Sequence, residues 1–299
     1  MIDVTLLGTG GMLPLPGRSL TSLYVRHDGR AILVDCGEGT QTAIRQNSLR
    51  FKNIEGILIT HFHADHMSGL PGLLLTLGNE ARTEPLHMYG PVGLEQVVTG
   101  LRVIAPELPY EIIFHEYGEE TAEIILAGLT VTLFPVDHAI PCLGYHFALP
   151  RPGKFDARKA KALGVPMPLW GRLQKGESVD GFTPADVLGE PRRGISLLYA
   201  TDTRPVPAIY EYAKDADLII LEGMYGDMEK QERAEFTHHM MMHEAAQIAR
   251  DTAAHQLWLT HYSPATADPT EYEAMLKEIF PDTVIAVDGQ STTLQFMKD

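Results

Sequence analysis

The sequence predicts a layered α/β fold that carries one inserted segment. Apolar runs of strand length alternate with amphipathic segments of helix length on both sides of residues 150–194. This alternation is typical of β-sheets that are covered by helices. Residues 150–194 break the pattern and are rich in Pro, Gly, Lys and Arg. We therefore expect a single α/β domain over residues 1–299, with residues 150–194 forming a protruding, flexible and basic arm.

The first elements are predicted from apolar runs and turn residues. Residues 2–7 form a strand-like run. Residues 22–37 read as a β-hairpin, because Asp28-Gly29 is a pair favoured in tight two-residue turns. A short helix is expected within 39–48. The chain is thus expected to begin with a strand, a hairpin and a helix.

The alternation continues along the rest of the chain, with a run of strands before the arm. Helices are predicted at 66–79, 93–104, 206–213, 241–252 and 269–280, and strands at 54–60, 86–89, 111–117, 122–126, 129–136, 143–149, 196–201, 216–222, 256–261, 283–287 and 292–296. Because strands and helices alternate again after the arm, both halves are expected to contribute to one layered structure.

The charge of the chain limits how it could bind nucleic acid. The sequence has 24 Lys and Arg residues against 39 Asp and Glu residues, a formal net charge of −15. Affinity for nucleic acid comes largely from cations that contact phosphates, so an acidic chain needs a local basic patch for such a role. Residues 151–175 carry seven basic side chains and one acidic side chain, a local charge of +6. This segment is the candidate patch, and a solvated basic surface loop is the alternative interpretation.

Cysteine usage and the apolar runs bear on the cellular compartment. Cys36 and Cys142 form neither a disulfide framework nor a CxxC pair, which suits a reducing cytoplasm. The first residues lack the basic and apolar regions of a secretory signal. No apolar run approaches the roughly 18 residues that a membrane helix needs. We expect a soluble cytoplasmic protein.

Four side chains of metal-ligand type stand within six positions, directly after the strand predicted at 54–60. They are His61, His63, Asp65 and His66, in the pattern HxHxDH. Imidazole nitrogen and carboxylate oxygen suit zinc, and such a cluster contributes little to a hydrophobic core. Alternate positions on the turn after a strand can point into one cavity. We therefore predict a metal site at the C-terminal end of this strand.

Further candidate ligands follow other predicted strands. They are Asp137, His138, Asp202 and His261. Each of them alone could be a simple turn or capping residue. Because strand ends that share one edge of a layered fold lie close together, these residues could join the HxHxDH cluster. Jointly, the two sets provide enough ligands for two metal ions if one carboxylate bridges the ions.

Two other features are expected near this cluster. The spacing of Gly8, Gly10 and Gly11 does not fit a GxGxxG nucleotide-binding loop, and no helix follows at once. We interpret these glycines as a tight turn that lines the metal cleft. Asp35 ends a predicted strand near the cleft, and we expect it to support the histidine loop.

Several motifs resemble those of the metallo-β-lactamase superfamily. They are "LLGTGGMLPLPGR", "DCGEGTQ", "THFHADHMSGLPGLL", "PVDHAIPCLGY", "ATDTRP" and "LTHYSP". Within it, "DCGEGTQ", the basic insert and the histidine-containing segment after "LEGMYGD" resemble the ribonuclease Z family of tRNA 3′-processing endonucleases. The resemblance implies an αβ/βα four-layer sandwich, a homodimer, and a zinc-dependent endoribonuclease that removes 3′ trailers from precursor tRNA and leaves a tRNA 3′-hydroxyl.

The resemblance also implies which residues hold the metal ions. One zinc ion would be bound by His61, His63 and His138, the second by Asp65, His66 and His261, and Asp202 would bridge them. Of the pair at 137–138, His138 falls on the ligand position of the family. Two zinc ions suit displacement at a phosphodiester.

Catalytic roles follow from the same resemblance. Asp65 would act as general base, and His239, paired with Glu222, would protonate the departing ribose oxygen. His238, one position away, is the rival for this acid role. The family usually has a small hydroxyl residue two positions after the histidine, where this chain has Met241.

In the ribonuclease Z family the basic insert is an arm that grips the tRNA elbow, which implies a tRNA exosite here. The family commonly has Gly-Pro near the position of Met167-Pro168. The ligand residues also fit another binuclear-metal hydrolase of the same fold, such as a cyclic phosphodiesterase, thioesterase or lactamase. A non-catalytic RNA-binding protein with a relic site is a second alternative. The basic arm and the pair of Glu222 with His239 favour RNA cleavage.

Overall fold

Two seven-stranded β-sheets packed face to face form the centre of the protein, in a computed structural model that describes residues 1–297. The strands are β1 (Ile2–Gly8), β2 (Ser22–His27), β3 (Arg30–Val34), β4 (Ile54–Leu58), β5 (Leu86–Pro91), β6 (Ile112–Tyr117), β7 (Ala122–Leu126), β8 (Leu129–Pro135), β9 (Leu143–Arg151), β10 (Arg192–Ala200), β11 (Leu218–Glu222), β12 (Leu257–Thr260), β13 (Thr283–Ile285) and β14 (Ser291–Leu294). The first sheet has the order β14-β1-β2-β3-β4-β5-β6, and the second has the order β13-β12-β11-β10-β9-β8-β7. Each half of the chain thus builds one sheet, and β14 returns to the first.

Helices cover the outer faces of both sheets. The α-helices are α1 (Thr40–Gln46), α2 (Ala64–Met67), α3 (Leu70–Asn79), α4 (Leu94–Leu101), α5 (Ala157–Ala162), α6 (Met167–Gln174), α7 (Pro184–Val187), α8 (Pro207–Ala213), α9 (Gln231–Phe236), α10 (Met242–Asp251) and α11 (Glu273–Ile279). Short 3-10 turns lie at Phe51–Asn53, Arg102–Ile104, Met228–Lys230 and Pro269–Tyr272. Within residues 1–297, no helix has the length and apolar content that crossing a membrane requires.

The side chains of β1 show how the layers form. Ile2, Val4 and Leu6 alternate along the strand and pack into the core between the two sheets. Leu7 points to the opposite face, where it joins apolar side chains of α1, α3 and α4. On the outer face of the second sheet, α8, α10 and α11 bury their apolar sides in the same way. The predicted αβ/βα four-layer sandwich is therefore confirmed.

The hairpin after β1 forms at the predicted turn. Asp28 and Gly29 have φ angles of 48° and 77°, and the register pairs His27 with Arg30 across a two-residue loop. Positive φ at both loop residues is what a tight primed turn requires, and Asp-Gly tolerates it. In place of the single helix predicted at 66–79, the structure has two helices, α2 and α3, with Ser68 and Gly69 between them.

Parallel strands bring the ends of both sheets to one edge of the molecule. β3 to β6 run parallel in the first sheet, and β10 to β13 run parallel in the second. The carboxyl ends of parallel strands lie side by side, which is where α/β folds place their ligands. The HxHxDH segment, Asp202 and His261 follow β4, β10 and β12 at this edge, and His138 follows the antiparallel strand β8.

β9 and β10 extend away from this edge and carry the arm at their far ends. The two strands pair antiparallel and span nine residues each, a length of about 30 Å. The arm is not irregular throughout, because it forms α5, α6 and α7 around a small apolar cluster. The buried members of this cluster are Ala160, Val165, Leu173, Val179 and Val187. These helices are not predictable from the sequence, because none exceeds eight residues, too few for a clear apolar period.

Candidate metal centre

The seven predicted ligands meet at the shared edge of the two sheets. Their ligand atoms form overlapping groups in which all atoms lie within 4.8 Å of one another. The groups are His61, His63 and His138; His61, His66 and Asp202; Asp65, His66 and His261; and Asp202, His239 and His261. This arrangement could hold two adjacent metal ions that share Asp202, with His239 beside them.

The HxHxDH segment positions its side chains in the loop between β4 and α2. His61 precedes α2 and is buried, whereas His63 lies at the N-terminal end of α2 and is exposed. Asp65 and His66 are on the first turn of α2 and are buried. Because the chain changes from an extended to a helical conformation within this segment, all four side chains reach the ligand cluster.

Asp35 anchors this loop from the end of β3. Its buried carboxylate accepts hydrogen bonds from the Thr60 amide at 2.8 Å and from Thr60 Oγ1 at 2.9 Å. The same carboxylate lies 2.8 Å from His66 Nδ1. A carboxylate paired with one ring nitrogen orients the other nitrogen toward a metal. Asp35 therefore supports the histidine loop, as expected, while the contribution of Thr60 was not foreseen.

Three residues that follow strands have a left-handed backbone conformation. Asp35, Asp202 and His261 have φ angles of 57°, 54° and 55°. This conformation costs a residue with a side chain on the order of 1 kcal/mol or more, and folds keep such strain mainly at functional sites. The sharp turn at each strand end directs the side chains of Asp202 and His261 into the cluster.

The close approach of ring nitrogens fits a bound cation. His61 Nε2 lies 2.9 Å from His63 Nδ1, and His66 Nε2 lies 3.2 Å from His261 Nε2. The buried Oδ2 of Asp202 lies 3.2 Å from Nε2 of both His66 and His261 without an aligned hydrogen bond. Lone pairs that face one another in a dry site are costly when too few protons are available. A metal cation satisfies them, so the donor set fits a metal cofactor.

The glycine-rich turn after β1 forms one wall of the cleft, as predicted. The Met12 amide donates a hydrogen bond of 2.6 Å to Asp65 Oδ2. A Cβ atom on Gly11 would lie 2.6 Å from His261 Cε1, so the turn can approach the cluster only with glycine there. Burial raises the pKa of Asp65, but the hydrogen bond with His261 and the charge of His66 outweigh it and hold this pKa below its usual value. Asp65 is therefore ionised at neutral pH.

His239 and Glu222 form a buried pair at the edge of the cluster. His239 Nδ1 lies 2.8 Å from Glu222 Oε2, and Glu222 is fully buried at the end of β11. The other oxygen of Glu222 accepts a 2.7 Å hydrogen bond from the Thr203 amide. Burial alone lowers the pKa of His239, but the Glu222 carboxylate raises it to about 9. The imidazole is therefore protonated at neutral pH and can donate a proton.

His238 has a different partner. His238 Nδ1 lies 2.8 Å from Asp137 Oδ1, and both side chains are about half exposed. In residues 1–297, neither side chain belongs to a group that could hold a metal ion, whereas His138 joins His61 and His63. The structure thus brings His239 into the cluster and leaves His238 at its rim.

An ion pair that the sequence does not predict stabilises the loop that carries His239. The Arg204 guanidinium donates to both carboxylate oxygens of Glu244, at 2.8 Å and 2.5 Å, and to the His239 carbonyl at 2.6 Å. Glu244 also accepts a 2.8 Å hydrogen bond from the amide of Met241, the N-cap of α10. Glu244 therefore stabilises the helix start, although Met241 has no hydroxyl group. Arg204 and Glu244 are 40 positions apart, so no local spacing indicates their contact.

Comparison with known proteins agrees with this geometry. Residues 15–153 match the family model of the metallo-beta-lactamase superfamily, and residues 183–262 match that of the beta-lactamase superfamily domain. Proteins named Ribonuclease Z from Lachnospira eligens and Lachnoclostridium phytofermentans are each 49% identical to the chain, covering 99% and 100% of both sequences, respectively. The crystal structure of the short form of human tRNase Z, 24% identical, has a TM-score of 0.72 and covers 98% of this chain and 100% of that chain. The chain belongs to the ribonuclease Z family of the metallo-β-lactamase superfamily.

Proposed function

We propose that the protein is a metal-dependent endoribonuclease that removes 3′ trailers from precursor tRNA and leaves a 3′-hydroxyl on the tRNA. Its membership of the ribonuclease Z family supports this function. The observation that carries the proposal is the convergence of seven metal-type ligands beside the buried pair of His239 and Glu222. Such a set provides both metal binding and a proton donor, which hydrolysis of a phosphodiester requires.

We assign two zinc ions to each chain. One would be held by His61, His63 and His138, the other by Asp65, His66 and His261, with Asp202 bridging. Histidine nitrogen and carboxylate oxygen donors support zinc over magnesium or calcium, which prefer oxygen ligands. When bound, the ions would lower the pKa of a water molecule and neutralise charge on the phosphate oxygens.

The side chains of the cleft supply the proton transfers. A water molecule attacks phosphorus opposite the ribose O3′, and the ionised Asp65 accepts a proton from this water. The bond between phosphorus and O3′ breaks as His239 donates its proton to O3′. Because Nδ1 of His239 is engaged by Glu222, Nε2 is the nitrogen that donates. The products are a tRNA with a 3′-hydroxyl and a trailer with a 5′-phosphate.

The arm would supply affinity for the tRNA elbow. The exposed basic side chains of α5, α6 and the residue after α6 are Arg158, Lys159, Lys161, Arg172 and Lys175. The carboxylate of Asp156, the acidic residue among them, accepts hydrogen bonds from two backbone amides at the start of α5. Cations on an exposed helix can contact phosphates without reading bases, which suits recognition of a folded RNA by its shape.

We further propose a cytoplasmic homodimer. The segment "GLPGLLLTLG" mostly faces the core, but Leu75 is 40% exposed. Val103 and Ile104 are 75% and 77% exposed, and a second copy covering these side chains would remove apolar surface from water. Cys36 and Cys142 are free and buried, which supports a reducing compartment.

Mapping the cut on a precursor tRNA with purified, metal-quantified protein tests the function. We expect one cut between the last tRNA nucleotide and the trailer, with 3′-hydroxyl and 5′-phosphate ends. Chelation should abolish this cut, and zinc should restore it. Hydrolysis of a cyclic phosphodiester or a thioester without precursor cleavage would replace the proposal with another hydrolase of the fold. Tight tRNA binding by protein that retains no metal would instead indicate a non-catalytic binding protein.

A further inference from the structure

One carboxylate holds both ends of the loop that runs from β1 toward β2. This segment, residues 9–19, is called the 9–19 loop below. The carboxylate belongs to Asp288, which lies between β13 and β14 and is 279 positions from Thr9. Its Oδ1 accepts hydrogen bonds from the Thr9 amide at 2.9 Å and from the Thr9 hydroxyl at 2.8 Å. Its Oδ2 accepts a 2.6 Å hydrogen bond from the Ser19 amide, so a single side chain closes the base of the loop.

Between these two ends, the 9–19 loop contacts the metal centre. The Met12 amide donates to Asp65 Oδ2, and this oxygen also lies 3.4 Å from His261 Nε2. The Gly11 amide donates a 3.0 Å hydrogen bond to the carbonyl of Tyr262, the residue after His261. A carboxylate that is held through one oxygen presents its other oxygen in a fixed direction. The position of the loop therefore sets the orientation of Asp65.

The middle of the 9–19 loop has little packing of its own. Met12 and Leu13 are 57% and 61% exposed, so the core does not hold them. The Arg18 guanidinium donates to the carbonyls of Thr266 and Ala267 at 3.1 Å and 3.2 Å, but these carbonyls belong to another loop. A segment with few buried apolar contacts opens easily when its hydrogen bonds are lost. The bonds of Asp288 at the base are therefore expected to govern whether the loop stays in place.

We propose that Asp288 is a positioning residue for the reaction. By binding both ends of the 9–19 loop, it keeps the Met12 amide on Asp65 and so holds the general base in its reactive orientation. The role of Asp65 as general base rests on the proposed function. Among the residues that the structure describes, Asp288 belongs to no group that could hold a metal ion. Its removal should therefore change the rate of the chemical step while the metal content stays the same.

Limited digestion with trypsin tests whether Asp288 holds the loop. Arg18 is a trypsin site inside the loop, and cleavage there requires the loop to open. Asp288→Ala should speed the cut after Arg18 by about tenfold, since hydrogen bonds to a charged group are lost. Asp217→Ala is the matched control, because the Asp217 carboxylate also accepts a backbone hydrogen bond, from Ser196, but lies at the start of β11, away from the metal centre. This variant should leave the rate of the Arg18 cut unchanged.

Kinetics on two substrates test the consequence for catalysis. Asp288→Ala should lower kcat by about 10- to 100-fold, the size of effect that a small displacement of a catalytic group produces. The factor should be similar for precursor tRNA and for bis(p-nitrophenyl) phosphate, because Asp65 accepts a proton from water in both reactions. The KM for precursor tRNA and the metal content should change little. Thr9→Val removes one of the three hydrogen bonds with almost no change of volume, and should lower kcat a few-fold on both substrates even if Asp288→Ala does not fold.

Four results would overturn the assignment. An unchanged rate of the Arg18 cut would mean that Asp288 does not hold the loop. A faster cut with normal kcat would mean that the loop does not orient Asp65. A raised KM for precursor tRNA with normal hydrolysis of bis(p-nitrophenyl) phosphate would mean that the loop binds RNA instead, and loss of metal would place the effect on the ligands. Failure of the proposed function is distinguishable, because the wild-type protein would then cut no precursor, whereas the trypsin result would be unaffected.

Discussion

The metal centre and the arm lie at opposite ends of β9 and β10 and are built in opposite ways. At the metal centre, side chains such as His66 and Asp35 are fully buried and fix each other through hydrogen bonds. In the arm, basic side chains are exposed on short helices around a few buried residues. Chemistry requires groups held to a fraction of an ångström, whereas attraction to phosphates tolerates movement. We infer that the metal centre determines the rate of the chemical step and that the arm determines the affinity for RNA.

The largest effect is expected from removing the carboxylate of Asp202, the residue proposed to bridge the two metal ions. Asp202→Ala should lower kcat on the order of 10⁴-fold or more with any phosphodiester, because each metal ion contributes several kcal/mol to the transition state. Metal analysis should show fewer than two bound ions per chain. Asp137→Ala, an exposed carboxylate beside the cluster, is the matched control and should keep its metal. An Asp202→Ala protein with full metal content and normal kcat would contradict the ligand assignment.

His239→Ala should reduce kcat for precursor tRNA about 10³-fold with unchanged metal content, because a positioned general acid contributes about 10²- to 10⁴-fold. Bis(p-nitrophenyl) phosphate offers a leaving group that needs little protonation, so its hydrolysis should fall far less. His238→Ala, whose ring pairs with Asp137, should stay within a few-fold of wild type on both substrates. Equal losses on the two substrates for His239→Ala would remove the acid role.

The same contrast explains how much of the site could be predicted from the sequence. Four candidate ligands, those of the HxHxDH segment, were recognisable without a structure because they stand within six positions. Asp202 and His261 were recognisable only as residues at strand ends and through family resemblance. Their approach to the HxHxDH segment depends on how the two sheets pack. The left-handed backbone conformation that orients Asp202 and His261 is not indicated by the residues that flank them.

The fold was predictable where the apolar period was long, and less so elsewhere. Strands β1 and β4 and helix α10 appear close to their predicted positions. The helices of the arm did not, since short helices with few apolar positions gain most of their stability from contacts made after folding. The contact of Arg204 with Glu244 could not be predicted for another reason, because the two residues are 40 positions apart and meet only when α10 packs beside the loop after β10.

The ion pair of Arg204 and Glu244 provides a test of the contrast between the metal centre and the arm. β10 has an arginine ion pair at each end, with Arg204 near the metal centre and Arg193 near the arm. Arg204→Ala should lower kcat for precursor tRNA by about 10- to 100-fold, because small displacements of catalytic groups have effects of this size. The KM should change little. Arg193 lies at the arm end of β10 and pairs with Asp215 and Asp217, so Arg193→Ala provides the matched control. Steady-state kinetics that show equal kcat losses in the two variants would mean that general destabilisation, not the position of His239, causes the effect.

The smallest effect is expected at the arm. Replacing Arg158, Lys159 and Lys161 together with glutamine should raise KM for precursor tRNA about tenfold and leave kcat unchanged, because phosphate contacts contribute binding rather than chemistry. The helix should persist, since glutamine is a good helix former and Asp156 bonds to backbone amides that the substitutions leave in place. Hydrolysis of bis(p-nitrophenyl) phosphate should be unchanged.

The salt dependence of this arm variant separates a specific exosite from a general charge effect. If the arm binds phosphates, the slope of log KM against log salt concentration should fall by about one for each phosphate that the variant no longer neutralises. Neutralising Arg26, Arg45 and Lys277, which are exposed in other parts of the chain, removes the same charge and should leave the slope nearly unchanged. Equal changes of slope in the two triple variants would show that net charge governs affinity. The arm would then have no special role, and the separation of chemistry from affinity along β9 and β10 would be wrong.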